Sequence, residues 1–161
     1  MKRLFLIAVI GVAVACGSAA VAEMIATHKV LLPQDIKWGS APPSLPAGAQ
    51  AAVLYGDPTK EGMFALRIKA PKGYRIPPHT HSKPEVLTVI SGKLGLGMGP
   101  TADRGTTESL PPGSFTSMPP GVVHYVFVDE DSVVQINATG PWDIEYVDAR
   151  DDPRLNVAPV K

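Results

Sequence analysis

The densest chemistry in the chain lies between residues 79 and 85, where His79, His81 and Glu85 stand close together. Alternate residues of an extended segment point to the same side, so His79 and His81 can aim two imidazole nitrogens at one point. Pro77 and Pro78 come just before them and fix their own φ angles, which lowers the entropy lost on ordering the two rings. Lys83-Pro84 then makes a short turn, and Glu85 opens the next apolar run, where its carboxylate can return to the same point. A further histidine, His124, follows Pro119-Pro120-Gly121. That tripeptide is a strong turn signal, because proline presets one φ and glycine accepts a positive one. His124 opens an apolar run and shares a face with Val126 and Val128. Imidazole and carboxylate donors of this kind are the chemistry of a divalent metal site.

The segments that must position these residues read as β-structure. Candidate strands are Ala51–Tyr55, Met63–Ala70, Glu85–Ser91, Lys93–Gly97, Ser114–Met118, Val122–Val128, Val133–Ala138 and Ile144–Val147. Several alternate with a period of two: Phe64, Leu66 and Ile68 share one face, and Met63, Ala65, Arg67 and Lys69 share the other. Gly92, in Ser91-Gly92-Lys93, falls where a tight hairpin needs a positive φ. No stretch carries a helical period of useful length. The 17 prolines and 15 glycines are scattered between the runs, the pattern of many short strands joined by turns. An all-β sandwich or barrel is the expected class.

At 161 residues, 45% hydrophobic and 19% charged, the chain is sized for one packed domain and is not a disordered one. Its first residues read as an export signal. Lys2 and Arg3 precede an apolar run from Leu4 to Ala15, and Ala20-Val21-Ala22 offers a small-x-small cleavage pattern before Glu23. The run is shorter than the roughly 20 residues that cross a bilayer. An alternative uses the lone cysteine: Ala13-Val14-Ala15-Cys16 resembles an imperfect lipobox, which would make Cys16 the lipidated first residue of a lipoprotein. Removing residues 1–22 leaves 13 basic against 15 acidic residues, a net charge of −2. That balance offers no footprint for nucleic acid or anionic lipid, so a small-molecule partner is the default. The expected organisation is a signal peptide over 1–22, an N-terminal arm over 23–50, a barrel over 51–148 and a tail over 149–161. A strand around Thr27–Leu32 and a Pro-rich stretch from Ala41 to Pro46 belong to the arm, a plausible element for homodimer exchange.

The spacing G-x5-H-x-H-x3-E-x6-G, matched by Gly73, His79, His81, Glu85 and Gly92, resembles the first motif of the cupin superfamily. The spacing G-x5-P-x-G-x2-H-x3-N resembles the second. Gly113, Pro119, Gly121 and His124 match it, and Val128 stands where the pattern has Asn. The resemblance spans residues 73–128. It implies a double-stranded β-helix, the jelly-roll cupin barrel, with His79, His81, Glu85 and His124 holding one metal ion in its mouth. Three nitrogens and one oxygen suit Fe, Mn, Ni, Co, Cu or Zn without selecting among them. Val128 implies a drier pocket.

Around that set, Arg75, Tyr74 and Met118 are candidates for contact with substrate, Arg75 as the grip on an anionic group. Leu87, Val89, Met98, Phe115 and Met118 read as pocket wall or core. Tyr125, of opposite parity to His124, reads as an outer-face residue, Arg67 as solvated and His28 as a surface or packing residue. The acidic run Asp148–Asp152 reads as a solvated tail. The resemblance implies a periplasmic or secreted metalloenzyme of dioxygenase or decarboxylase/lyase type. The alternative is a non-catalytic cupin that binds a metal or small ligand in the cell envelope. A metal-independent sugar isomerase or epimerase is disfavoured by the intact donor set.

Overall fold

The computed structural model describes residues 28–155. The expected signal peptide and Cys16 lie outside the described residues, as does Thr27. Residues 28–32 form no strand, and His28 is exposed.

From Pro33 onward the chain builds two antiparallel sheets from eleven strands: β1 (Gly39–Ser40), β2 (Gln50–Tyr55), β3 (Gly62–Ala70), β4 (Arg75–Thr80), β5 (Glu85–Ser91), β6 (Leu94–Met98), β7 (Glu108–Leu110), β8 (Phe115–Met118), β9 (His124–Val128), β10 (Ser132–Gly140) and β11 (Glu145–Tyr146). The order is β1-β2-β3-β10-β5-β8 in one sheet and β11-β4-β9-β6-β7 in the other. From β3 onward the chain passes back and forth between the sheets, with only β6 and β7 consecutive in one sheet, which is the jelly-roll arrangement. Among the described residues, three short 3-10 turns are the helical elements beside the β-structure. The period-two reading holds for β3: Phe64, Leu66 and Ile68 are buried, and Met63 and Lys69 are exposed. These three pack with Val89, Val126, Val128, Val134 and Ile136 from both sheets into one apolar core.

Two tight places in the sheets require glycine. Gly92 turns at φ 78°, and a Cβ there would lie 2.4 Å from the Asp131 carbonyl oxygen, so the β5–β6 hairpin requires glycine. Gly97 pairs with Tyr125 across β6 and β9, and the Tyr125 ring occupies the space of the missing side chain. Tyr125 does point away from His124, as its parity requires. It is nevertheless buried, because the loop at Asp103–Thr106 covers it and takes hydrogen bonds with its hydroxyl.

The arm differs from expectation. Gly39 and Ser40 pair with Ala51 and Gln50, and Leu45 and Ala49 belong to the core, so from Gly39 onward the segment is built into the barrel. The tail is also held: Arg154 Nη2 donates to the Ile144 carbonyl at 2.8 Å. Arg67 is half-buried and donates from Nε to Gln135. Met98 and Phe115 were expected in the wall or core. They are exposed instead: Phe115 points outward from the edge strand β8, and Met98 ends β6 on the face of Leu94 and Leu96, past the covered part of the sheet.

Candidate metal centre

β4 is the strand that the sequence conceals. Proline lacks the N–H of a sheet ladder, so Pro77-Pro78 argues against a strand. Here the pair sits in a β-bulge: Ile76 pairs with Val126, the register shifts, and His79 pairs with His124. The bulge reverses parity. Ile76 faces the interior before it; His79 and His81 do so after it. Arg75 has the same odd parity as the two histidines but precedes the bulge. It points outward, is exposed, and does not line the cavity. Arg75 thus stands apart from the cavity that holds the histidines.

His79 and His124 face each other across β4 and β9, with ring centroids 4.2 Å apart. His81 follows β4, its ring 5.1 Å from His79 and 5.2 Å from His124. Ring nitrogens of all three lie within 4.8 Å of one another. The carbonyl of Gly121's partner, His81, fixes the turn before His124 through a 2.9 Å bond from the Gly121 N–H. Glu85 arrives from the opposite sheet, opening β5 beside Met118 and Ala138. All four side chains are 2–5% exposed, which means that their polar atoms must find partners within the protein or in a ligand.

The Nδ1 atoms have such partners. His79 Nδ1 bonds the Pro77 carbonyl at 2.7 Å, His81 Nδ1 the Asp143 carbonyl at 2.6 Å, and His124 Nδ1 the Val122 carbonyl at 3.0 Å. A carbonyl only accepts, so each Nδ1 carries the hydrogen and each Nε2 carries a lone pair. The Nε2 of His81 is buried with no hydrogen-bond partner, and its nearest acidic neighbour, Glu85 Oε2, is 3.5 Å away. That oxygen accepts a 2.8 Å bond from Trp142 Nε1, and the indole stacks on His81 at 5.8 Å. Burial pushes His79 down to about 3, with the His124 ring adding to the effect and the Pro77 bond opposing it. Burial likewise pushes His124 down to about 4 against the bond to Val122. Glu85 is raised by burial, opposed by His81 and the Trp142 bond. Neutral imidazoles with converging lone pairs and one orphaned nitrogen fit a bound cation.

Tyr74 and Met118 line the cavity as expected. The Tyr74 hydroxyl is committed to the Pro46 carbonyl at 2.7 Å, and burial raises its pKa above the usual phenol range. Val128 is buried in the wall, in keeping with the drier pocket. Sequence reasoning missed Trp142, Asp143, Tyr146 and Leu45. Tyr146 pairs with His79 across β11 and β4, and its ring lies 5.9 Å from that imidazole. The only signal for the group was a tryptophan directly after a Gly-Pro turn.

This fold and histidine cluster define a cupin. Residues 23–147 match the family described as Domain of unknown function (DUF4437), and the chain belongs to that family. A stretch of 83 residues is 35% identical to Germin-like protein subfamily 2 member 1 of Arabidopsis thaliana, covering 51% of this chain and 37% of that one. The chain thus spans little more than a third of that relative's length. Among solved structures, the polyketide cyclase RemF from Streptomyces resistomycificus is similar at a TM-score of 0.65 and 20% identity, over 79% of this chain and 90% of that one. A putative acetylacetone dioxygenase from Methylibium petroleiphilum is similar at 0.60 and 15%, over 79% and 85%. At those identities the likeness is one of fold.

Proposed function

We propose that the protein is an exported metal-dependent cupin in which His79, His81, His124 and Glu85 hold one divalent transition metal beside a cavity for a small organic molecule. The observation that carries this reading is the buried, unpartnered Nε2 of His81 beside two more imidazoles whose Nδ1 atoms are pinned by carbonyls. A bound ion would supply Lewis acidity or redox chemistry there. The protein's own part is orientation. Three carbonyls set the rings, Trp142 fixes one oxygen of Glu85, and the apolar wall excludes water. The fold likeness to a dioxygenase and a cyclase supports an oxidoreductase or lyase, with the weight that fold analogy carries.

Elemental analysis of protein from its native source, beside a Glu85→Ala variant, tests the centre. One equivalent of metal in the first and markedly less in the second is expected; equal traces in both would sink it. An oxygen electrode with a panel of diketones, phenols and acids then separates the enzyme from the envelope binding protein. The binding reading is favoured by one observation: the Tyr74 and Ser132 hydroxyls that reach the cavity are already engaged by carbonyls. Export is supported by the Lys2-Arg3 start, the apolar run and a family match that begins at Glu23. Mass spectrometry of the protein from the periplasm should find Glu23 as its first residue. A lipid on Cys16 would replace that reading with the lipoprotein.

A further inference from the structure

Beside the histidines the cavity changes character. Its wall is built from side chains such as Ile68, Leu94, Val126, Val134 and Ile136, contributed by both sheets. No lysine or arginine lines it, and Glu85 is its one carboxylate. Of the hydroxyls that line it, those of Tyr74 and Ser132 are already paired, to the Pro46 and Glu130 carbonyls at 2.7 Å each, which leaves that of Thr116 on β8. A sugar, or any ligand with a second charged group, would surrender its water hydrogen bonds here with a single hydroxyl, that of Thr116, to replace them.

One wall residue has an unusual origin. Leu45 comes from the loop 41–49 between β1 and β2, yet it is 4% exposed. A turn from Leu45 N–H to the Pro42 carbonyl points it inward. A half-buried and a buried tyrosine then hold the loop on either side of it: Tyr146 donates to the Ser44 carbonyl and Tyr74 to the Pro46 carbonyl, both at 2.7 Å. A leucine suspended between two such bonds is a fixed stop. The cavity is about 60 Å3, room for roughly four to six water-sized groups at 10–15 Å3 each.

We propose that the cavity takes a head-and-tail molecule, with one metal-binding head at the histidines and an uncharged hydrocarbon tail of about three carbons, and that Leu45 limits the tail. The head rests on the metal reading; the tail rests on the wall and on Leu45. Straight-chain alkyl hydroxamates, from acetohydroxamate upward, provide the probe. They are titrated into the Co(II)-loaded protein and followed by the cobalt visible spectrum. Affinity should rise about 4-fold per methylene over the first two or three, the worth of one buried CH2, and then turn down. Leu45→Ala should move the optimum one or two carbons longer. Val128→Asn, which changes the wall rather than the loop, should shift preference toward a tail bearing a hydroxyl. A flat series, or tighter binding of a hydroxylated or carboxylate-ended tail by the wild type, overturns the proposal. Short n-alkanols added to the metal-free protein, read by the methyl NMR signals of Val134 and Ile136, separate the two readings. Cobalt uptake without a chain-length trend sinks the tail alone. A trend in alkanol binding without cobalt uptake supports the tail and sinks the metal centre.

Discussion

In the six-stranded sheet, β3 runs against β10 from Gly62↔Gly140 to Ala70↔Ser132 without a slip; in the five-stranded sheet, β4 breaks step with β9 between Ile76 and His79. The regular pair buries Phe64, Leu66, Ile68, Val134 and Ile136 and contributes no donor to the centre. The irregular pair carries His79 and His124, and the chain leaving β4 carries His81. Regularity suits packing, because alternation places every second side chain in the core. Irregularity suits a site, because a bulge can turn two consecutive odd positions inward where the strand would have alternated on. Glu85 crosses this division: it starts β5, the neighbour of β10 in the six-stranded sheet, and meets the histidines from the other side.

The sharpest way to test this division is to damage each sheet and read both outcomes. Phe64→Ala removes a ring that is 1% exposed, and should cost about 3–5 kcal/mol in a urea titration. Metal stoichiometry at saturation should be unchanged wherever the variant is folded. His79→Ala should do the reverse. Metal affinity, measured by competition with a chromogenic chelator, should fall more than about 100-fold, beyond the loss expected from an outer partner. If Phe64→Ala abolished metal binding in folded protein, or His79→Ala left affinity intact, the separation of roles would be wrong.

The same division explains what was legible in the sequence. β3, β5 and β10 follow from alternation alone, because each has one face in the core. The histidines and Glu85 were legible from spacing and from the cupin resemblance. β4 was not among the expected strands, since its prolines donate no ladder hydrogen bond and the bulge that tolerates them is a property of pairing with β9. Arg75 lies outside the cavity for the same reason: odd positions of β4 turn inward only after the inserted residue. Tyr125 shows a different limit. Its parity was right, but burial came from the Asp103–Thr106 loop packed over it, a tertiary fact that no local pattern carries. Trp142 and Leu45 reach the site from loops, where no period points to them.

Acid should distinguish the two sheets without any mutation. In the metal-free protein, His79 and His124 titrate at about 3 and about 4 when folded, below the 6.5 of an exposed histidine. The unfolded chain therefore binds more protons below pH 6.5, and stability, fully present above that pH, is lost as pH falls toward the folded values. Glu85 acts oppositely. Its folded pKa is raised above 4.5, so ionising it costs stability as pH rises past that point. The two histidines alone would cost up to about 2.7 kcal/mol per pH unit below roughly 6.5, and Glu85 offsets part of that wherever it is protonated only in the folded state. Urea midpoints in chelator at a series of pH values measure it. Glu85→Gln should steepen the slope by removing the opposing group. A flat profile over that window would mean that the histidines are not held neutral by burial.

The smallest predicted effect concerns the bond between the sheets' contributions. Trp142 Nε1 holds Glu85 Oε2 at 2.8 Å while its ring stacks on His81, so one side chain touches a donor from each sheet. Phenylalanine keeps an aromatic face against His81 and removes the N–H. Trp142→Phe should therefore weaken metal affinity by about 10-fold, the lower end for loss of a partner that orients a ligand. The shape of the donor set also changes, because the freed carboxylate oxygen becomes available to the ion. The visible spectrum of the Co(II)-loaded variant should accordingly differ from that of the wild type. In a Glu85→Ala background the same substitution should have little further effect, since the atom it positions is gone. If Trp142→Phe weakens binding equally in both backgrounds, the indole acts through packing on His81, and Glu85 is placed by β5 alone.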